Sequence, residues 1–239
     1  MRLVFEDDFN GPAGAAPDSA LWRHQTGGGG WGHSELQTYV NDRQHSYQDG
    51  AGRLVIRADL VGGTWRSARI TTRGTARPNW ALGRFEALIK MPKGKGLWPA
   101  FWLVGDAPGM PWPTDGEIDV VECVDGVPSM QHCTVHTVGK DGKHRQEAVG
   151  VTSGLDLAKS FNLYSAEWTK DQVEFRLNGA RVATLTKAMV EKSGGLWTGH
   201  LDQVQCMLLN VAVGGNWAGA PAPGVTSGEM VVDWVRVWQ

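Results

Sequence analysis

The sequence predicts an all-β fold, a sandwich of two packed sheets, and three observations predict it. At least ten short segments carry strand-like patterning and are separated by Gly, Pro and Asn turns. Glycine occurs 32 times in 239 residues, a turn-rich composition. Helical patterning is confined to one short stretch, residues 187–193. No repeat, linker or low-complexity segment divides the chain, so residues 1–239 read as one domain.

Composition narrows the function. Hydrophobic residues make up 41%, ample for a core. A formal net charge of −2 and a pI near 6.4 leave no basic footprint for nucleic acid or an acidic membrane surface. No run of 18 apolar residues is present, so no membrane partner is expected. Cys123, Cys133 and Cys206 are an odd count, which is no disulfide framework, and their spacing fits no zinc site. A single pair, Cys123 with Cys133, stays open. The twelve tryptophans suit aromatic platforms for sugar rings, although for any single one of them the core is the better reading.

Taken in order, residues 3–9 form a strand that enters the turn Asn10-Gly11-Pro12. The run Gly27 to Gly30 lacks the Lys-Ser/Thr and following helix of a phosphate cradle, and a strand through Leu36, Gln37 and Tyr39 follows it. Residues 53–60 alternate, as do 67–73. In residues 83–92, Phe85, Ala87, Ile89 and Met91 share one face. Trp98 and Trp102 stand four apart on one strand face, with Pro99 marking an edge or irregularity. His132 and His136 share parity in the strand near 130–137, but no third ligand lies near them for a metal. Asn178-Gly179 between alternating runs signals a hairpin. Residues 204–213 and 230–239 supply the last strands.

The most informative stretch is Trp112-Pro-Thr-Asp-Gly-Glu117-Ile-Asp119-Val-Val-Glu122. Ile118, Val120 and Val121 make it a strand, bounded by Gly116 before and Asp125-Gly126 after. Glu117 and Asp119 point one way by alternation, whereas Glu122 points the other way by strict counting. One extra residue, a bulge at Val120-Val121, brings Glu122 back and leaves three acids on one face. A solvated face using its charges against aggregation is the bland alternative. Paired carboxyls for acid–base and nucleophilic work, with a third tuning them, is the functional one.

Gly116-Glu-Ile-Asp-Val-Val-Glu122 resembles the E-x-D-x-x-E signature of glycoside hydrolase family 16, particularly its bacterial laminarinase-like endo-β-1,3-glucanases. Other pieces resemble it too. They are Glu35-Leu-Gln-Thr-Tyr39, Trp98-Pro-Ala-Phe-Trp102, His136-Thr, and Leu209-Asn-Val-Ala-Val-Gly-Gly-Asn-Trp217. His33 departs from the family, which usually has Asn there. The resemblance implies a β-jelly roll of two antiparallel sheets with a concave substrate cleft, and retaining endo-hydrolysis of β-1,3-glucan. Glu117 would be the nucleophile, Glu122 the general acid and base, and Asp119 their partner, with Glu117 and Glu122 about 5–5.5 Å apart. Asn41, Arg73, Trp98, Trp102, Trp112, His136 and Trp217 would contact the substrate or support the acids, with Trp98 the stacking platform.

No cofactor is expected for the chemistry. A structural calcium ion is implied at Asp8, the carbonyl of Gly52, and Asp233. The expected partner is a β-1,3-glucan polysaccharide or oligosaccharide, bound by a monomer. Other polymers of the same family are the first alternative, namely mixed-linkage glucan, agar or carrageenan. The second is a non-catalytic glucan-binding jelly roll. Residues 1–5 have no signal-peptide pattern, yet a polymer-degrading enzyme meets its substrate outside the cell. A secreted protein whose leader has been removed is therefore expected, with a cytoplasmic one as the other reading.

Overall fold

The structure is a computed structural model describing residues 1–76, 79–107, 109–124, 126 and 128–239. Two sheets stack face to face. The larger runs Ala180–Thr186, Gln172–Leu177, Asn162–Trp168, Gly83–Lys90, Ser227–Trp238, Leu54–Val61, Thr64–Ser67, Thr38–Tyr39. Leu3–Asp7 and Ser46–Gln48 pair onto its Ser227–Trp238 and Leu54–Val61 strands. The smaller runs His144–Thr152, Met130–Val138, Glu117–Glu122, Leu97–Gly105, Gln205–Val213, Arg69–Thr71, Arg23–His24. Pairing is antiparallel, as expected, except for the short parallel contact of Thr38–Tyr39 with Thr64–Ser67.

Alternation explains the layers. In Gly83–Lys90 the even-numbered residues are partly exposed while Phe85, Ala87 and Ile89 are fully buried. They join one core with Phe101, Leu103, Ile118, Val120, Val121 and Val135 from the smaller sheet. Gln205–Val213 is buried at every position and lies inside the sheet, with Leu97–Gly105 on one edge and Arg69–Thr71 on the other. Among the described residues no helix is long and apolar enough to cross a membrane.

Three sequence expectations change. Residues 67–73 are not one strand: the chain leaves the larger sheet at Ser67 and enters the smaller at Arg69. Ala68, fully buried and small, is the residue at the crossing. Besides the expected helical turn, found at Lys187–Lys192 with Thr186 Oγ1 accepting from Met189 N, a second occupies Gly215–Ala218. Its glycine-rich sequence hides it from helix propensity. The three cysteines are buried and none is in a disulfide, so the Cys123–Cys133 pair is not formed. The Asn178-Gly179 hairpin is present, both residues at positive φ as its tight turn requires. Of the turn expected after the acid strand, Asp125 lies outside the described residues.

Candidate active site

Glu117–Glu122 is an inner strand of the smaller sheet, between Leu97–Gly105 and Met130–Val138. Against Met130–Val138, Asp119 pairs with Thr134 and Glu122 with His132. Two residues, Val120 and Val121, therefore oppose the single Cys133. Both valines are fully buried, so the extra residue goes into the core and the carboxyls stay on the other face. Glu117, Asp119 and Glu122 line a cleft of about 1010 Å³, together with Trp98, Trp102, Trp112, His136 and Trp217.

The acids are bound into a network. Trp112 Nε1 donates to Glu117 Oε2 at 2.7 Å, and Trp98 Nε1 donates to Glu122 Oε1 at 2.8 Å. His136 Nε2 stands 3.0 Å from Asp119 Oδ2 and 3.6 Å from Glu117 Oε1. The Glu117 and Asp119 carboxyls adjoin, with oxygens within 4.8 Å of each other and of the His136 ring. Burial raises all three carboxyls above the usual range. Glu117 is pushed up to about 8, first by burial and then by the Asp119 charge, against the pull of His136 and Trp112. Burial lifts Asp119 to about 7. Glu122 is raised well above an ordinary glutamate by burial and then the Asp119 charge, with Trp98 opposing. Such a cluster sheds protons stepwise and keeps at least one near neutral pH.

Glu117, Asp119 and His136 also bring ligand atoms within 4.8 Å of one another, close enough for a cation. Their contacts with each other and with Trp112 describe an acid–base cluster, and no metal is assigned there.

The other expected residues divide. Trp102 donates from Nε1 to Asn210 Oδ1 at 2.7 Å. Arg73 lies at one end of the cleft, its guanidinium held by Gly105 O and by Asp106 Oδ1 at 2.9 Å. Trp98 is only 8% exposed and meets Trp217 and His33 edge-on at 5.0 and 5.6 Å. Its face is not a free platform. Trp112 and Trp217, 48% and 42% exposed, offer more. Asn41 is exposed and outside the cleft lining.

Several cleft residues were given no role from sequence. The Arg69 guanidinium lies between the rings of Trp31 and Trp102, 4.7 and 4.6 Å from their centroids. Glu35 faces the same cleft, held by Gln37 Nε2 at 2.5 Å. His144 abuts His136, and His132 meets Trp217 edge-on at 4.9 Å. Arg69 shares parity with Arg73, the signal that strand counting offered. Glu35 lay in the quoted Glu35-Leu-Gln-Thr-Tyr39 piece with no role given to it, and His144 had no signal, since its contact with His136 depends on the pairing of two strands. Gly215 fixes the cleft's rim: at φ +85, a Cβ there would lie 2.7 Å from His33 O.

Comparison with known proteins fits this geometry. The chain is 33% identical to a beta-glucanase of Rhodothermus marinus over 100% of its own length and 85% of the relative's. It is 32% identical to the clotting factor G alpha subunit of Tachypleus tridentatus, covering 100% of this chain and 34% of that much longer protein. The solved laminarinase from Rhodothermus marinus superposes with a TM-score of 0.85 at 33% identity, covering 100% of this chain and 97% of that one. The overall fold is thus the jelly roll of that laminarinase. The profile of Glycosyl hydrolases family 16 matches residues 33–236, and the chain belongs to that family.

Proposed function

We propose that this protein hydrolyses β-1,3-glucan of the laminarin type within the polymer, retaining anomeric configuration by double displacement. The observation that carries the reading is the common face of Glu117, Asp119 and Glu122, created by one bulge and set along a cleft. A cleft accommodates a polymer that continues past the cleaved bond, which suits internal attack.

Glu122 protonates the glycosidic oxygen while Glu117 attacks the anomeric carbon, forming a glycosyl-enzyme. The Glu122 carboxylate then takes a proton from water, which displaces Glu117. Burial and the neighbouring charges favour a protonated Glu122 at the outset. The Trp112 N–H and the adjacent His136 favour negative charge on Glu117. Asp119, beside Glu117 on the same strand face, shares that charge.

Residues 1–239 act in this reading as one catalytic unit, monomeric and outside the cell, where the polymer is. No cofactor enters the chemistry. The implied calcium site fits poorly: Asp8 Oδ1 is engaged by Arg236 Nη2 at 3.1 Å, and Asp233 Oδ1 faces Arg53 Nε at 3.6 Å. Guanidinium groups stand where an ion would need bare oxygens, and nothing is routed through that ion.

A reducing-sugar assay across laminarin, lichenan, agarose and xyloglucan tests the reading. Laminarin should be cut into a ladder of oligosaccharides, with β product seen by NMR before mutarotation. Preference for another polymer would change the specificity. Silence on all four would leave a glucan-binding module.

A further inference from the structure

The pair His136–His144 extends the acid cluster by one residue. His144 opens the strand His144–Thr152, which pairs with Met130–Val138. Its Nε2 stands 2.8 Å from His136 Nδ1. The two rings lie edge to edge, with centroids 5.0 Å apart and planes 16° off parallel, and Trp112 lies 4.9 Å from His144 and 6.3 Å from His136. The same Trp112 donates to Glu117.

Proton counting gives this contact a direction. Two ring nitrogens at 2.8 Å need one hydrogen between them, no more and no fewer. His136 Nε2 stands 3.0 Å from Asp119 Oδ2 without the alignment of a hydrogen bond, and 3.6 Å from Glu117 Oε1. The charge of an ionised Asp119 nevertheless favours the hydrogen of a neutral His136 on Nε2, the nitrogen nearer the acids. Nδ1 of His136 is then bare, and the hydrogen in the contact comes from His144 Nε2. The two rings together hold at most one positive charge, because two N–H groups cannot face each other.

We propose that His144 is a positioning residue: by donating to Nδ1 it holds the ring and tautomer of His136, so that Nε2–H is presented to Asp119 and Glu117. This deepens the glucanase reading and rests on it for its effect on turnover. The charged groups around the pair are Glu117, Asp119 and Glu122 from the acid strand and His33 from the glycine-rich loop. Arg145, itself paired with Asp141, is next to His144 in the chain. Burial and the charges of His136, His33 and Arg145 lower the affinity of His144 for a second proton, which keeps it available as a neutral donor.

The test compares His144→Phe, which keeps an aromatic ring without a donor, with His144→Gln, whose amide N–H can replace Nε2–H. Expected is a fall in kcat on laminarin of about tenfold in the Phe variant, taking as a loose guide the low end of the loss when the partner of a metal-bound histidine is removed, with substantial recovery in Gln. The acid limb of its pH–rate profile should move as well. ¹⁵N NMR of the wild type above neutral pH should show His136 protonated on Nε2 and bare on Nδ1. In the Phe variant the two tautomers should average. A wild-type His136 protonated on Nδ1 overturns the proposal. So does a Phe variant, or a His144→Leu variant if Phe disturbs the hairpin, with unchanged kcat, pH profile and ¹⁵N pattern. A wild type inactive on every glucan would sink the glucanase reading alone, since the tautomer measurement still decides the positioning.

Discussion

The indole of Trp98 reaches across from the neighbouring strand and donates its Nε1–H to Glu122 Oε1 at 2.8 Å. This bond opposes burial, which drives Glu122 toward its protonated form. Removing the donor should therefore raise the Glu122 pKa further. A net loss of about 1.5–3 kcal/mol on the charged form corresponds to roughly one to two pH units. Trp98→Phe should shift the alkaline limb of kcat/KM upward by that order, measured on laminarin. An unmoved limb would separate Trp98 from the acid.

Glu122 as proton donor makes a prediction about leaving groups. Glu122→Ala should slow polymer cleavage by roughly 10²–10⁴-fold. An aryl oligoglucoside with an acidic phenol needs little protonation, and its first step should be far less affected. Equal losses on both substrates would remove Glu122 from that role. Glu117→Ser, in contrast, should stop turnover of both, with azide restoring some activity to give the opposite anomer.

The acid cluster also costs stability, and the sign follows from the raised pKa of Glu117. Its carboxyl titrates near 8 in the fold, against roughly 4.3 in the unfolded chain. Below the unfolded value both states are protonated and the buried acid costs nothing electrostatically. As pH climbs toward and through 8, the stability associated with the protonated form is lost. Glu117→Gln keeps the shape and can still accept from Trp112. The variant should melt at about the wild-type temperature near pH 4, and several degrees higher near pH 9, where about 1 kcal/mol corresponds to roughly 2–4 °C. A constant difference across that range would contradict the linkage.

Trp217 is half-exposed beside Trp98 and His132, so it should bind sugar rather than tune an acid. Trp217→Ala should raise KM for laminarin by a factor corresponding to roughly 1–3 kcal/mol, taking base–aromatic stacking as the guide. kcat should change little. A fall in kcat at constant KM would instead place the effect on the transition state.

Period-two alternation and residue counting determined a great deal from sequence alone. They gave the buried face of Phe85, Ala87 and Ile89, the hairpin at Asn178-Gly179, and the bulge that Glu122 needs in order to join Glu117 and Asp119. These are local rules, because each residue's side is fixed by its immediate neighbours along the strand. Which strands become neighbours, and what folds over them, is set by long-range packing, and those questions only the tertiary structure decided. It turned Trp98 from a platform into a hydrogen-bond donor, placed Arg69 between Trp31 and Trp102, and left Asn41 outside the cleft. It also brought His144 onto His136 across a strand pair. A carboxyl's pKa depends on burial and on charges within a few ångströms, whichever part of the chain supplies them. The acids were therefore legible in the sequence, while the groups that tune them became visible only once the sheets were packed.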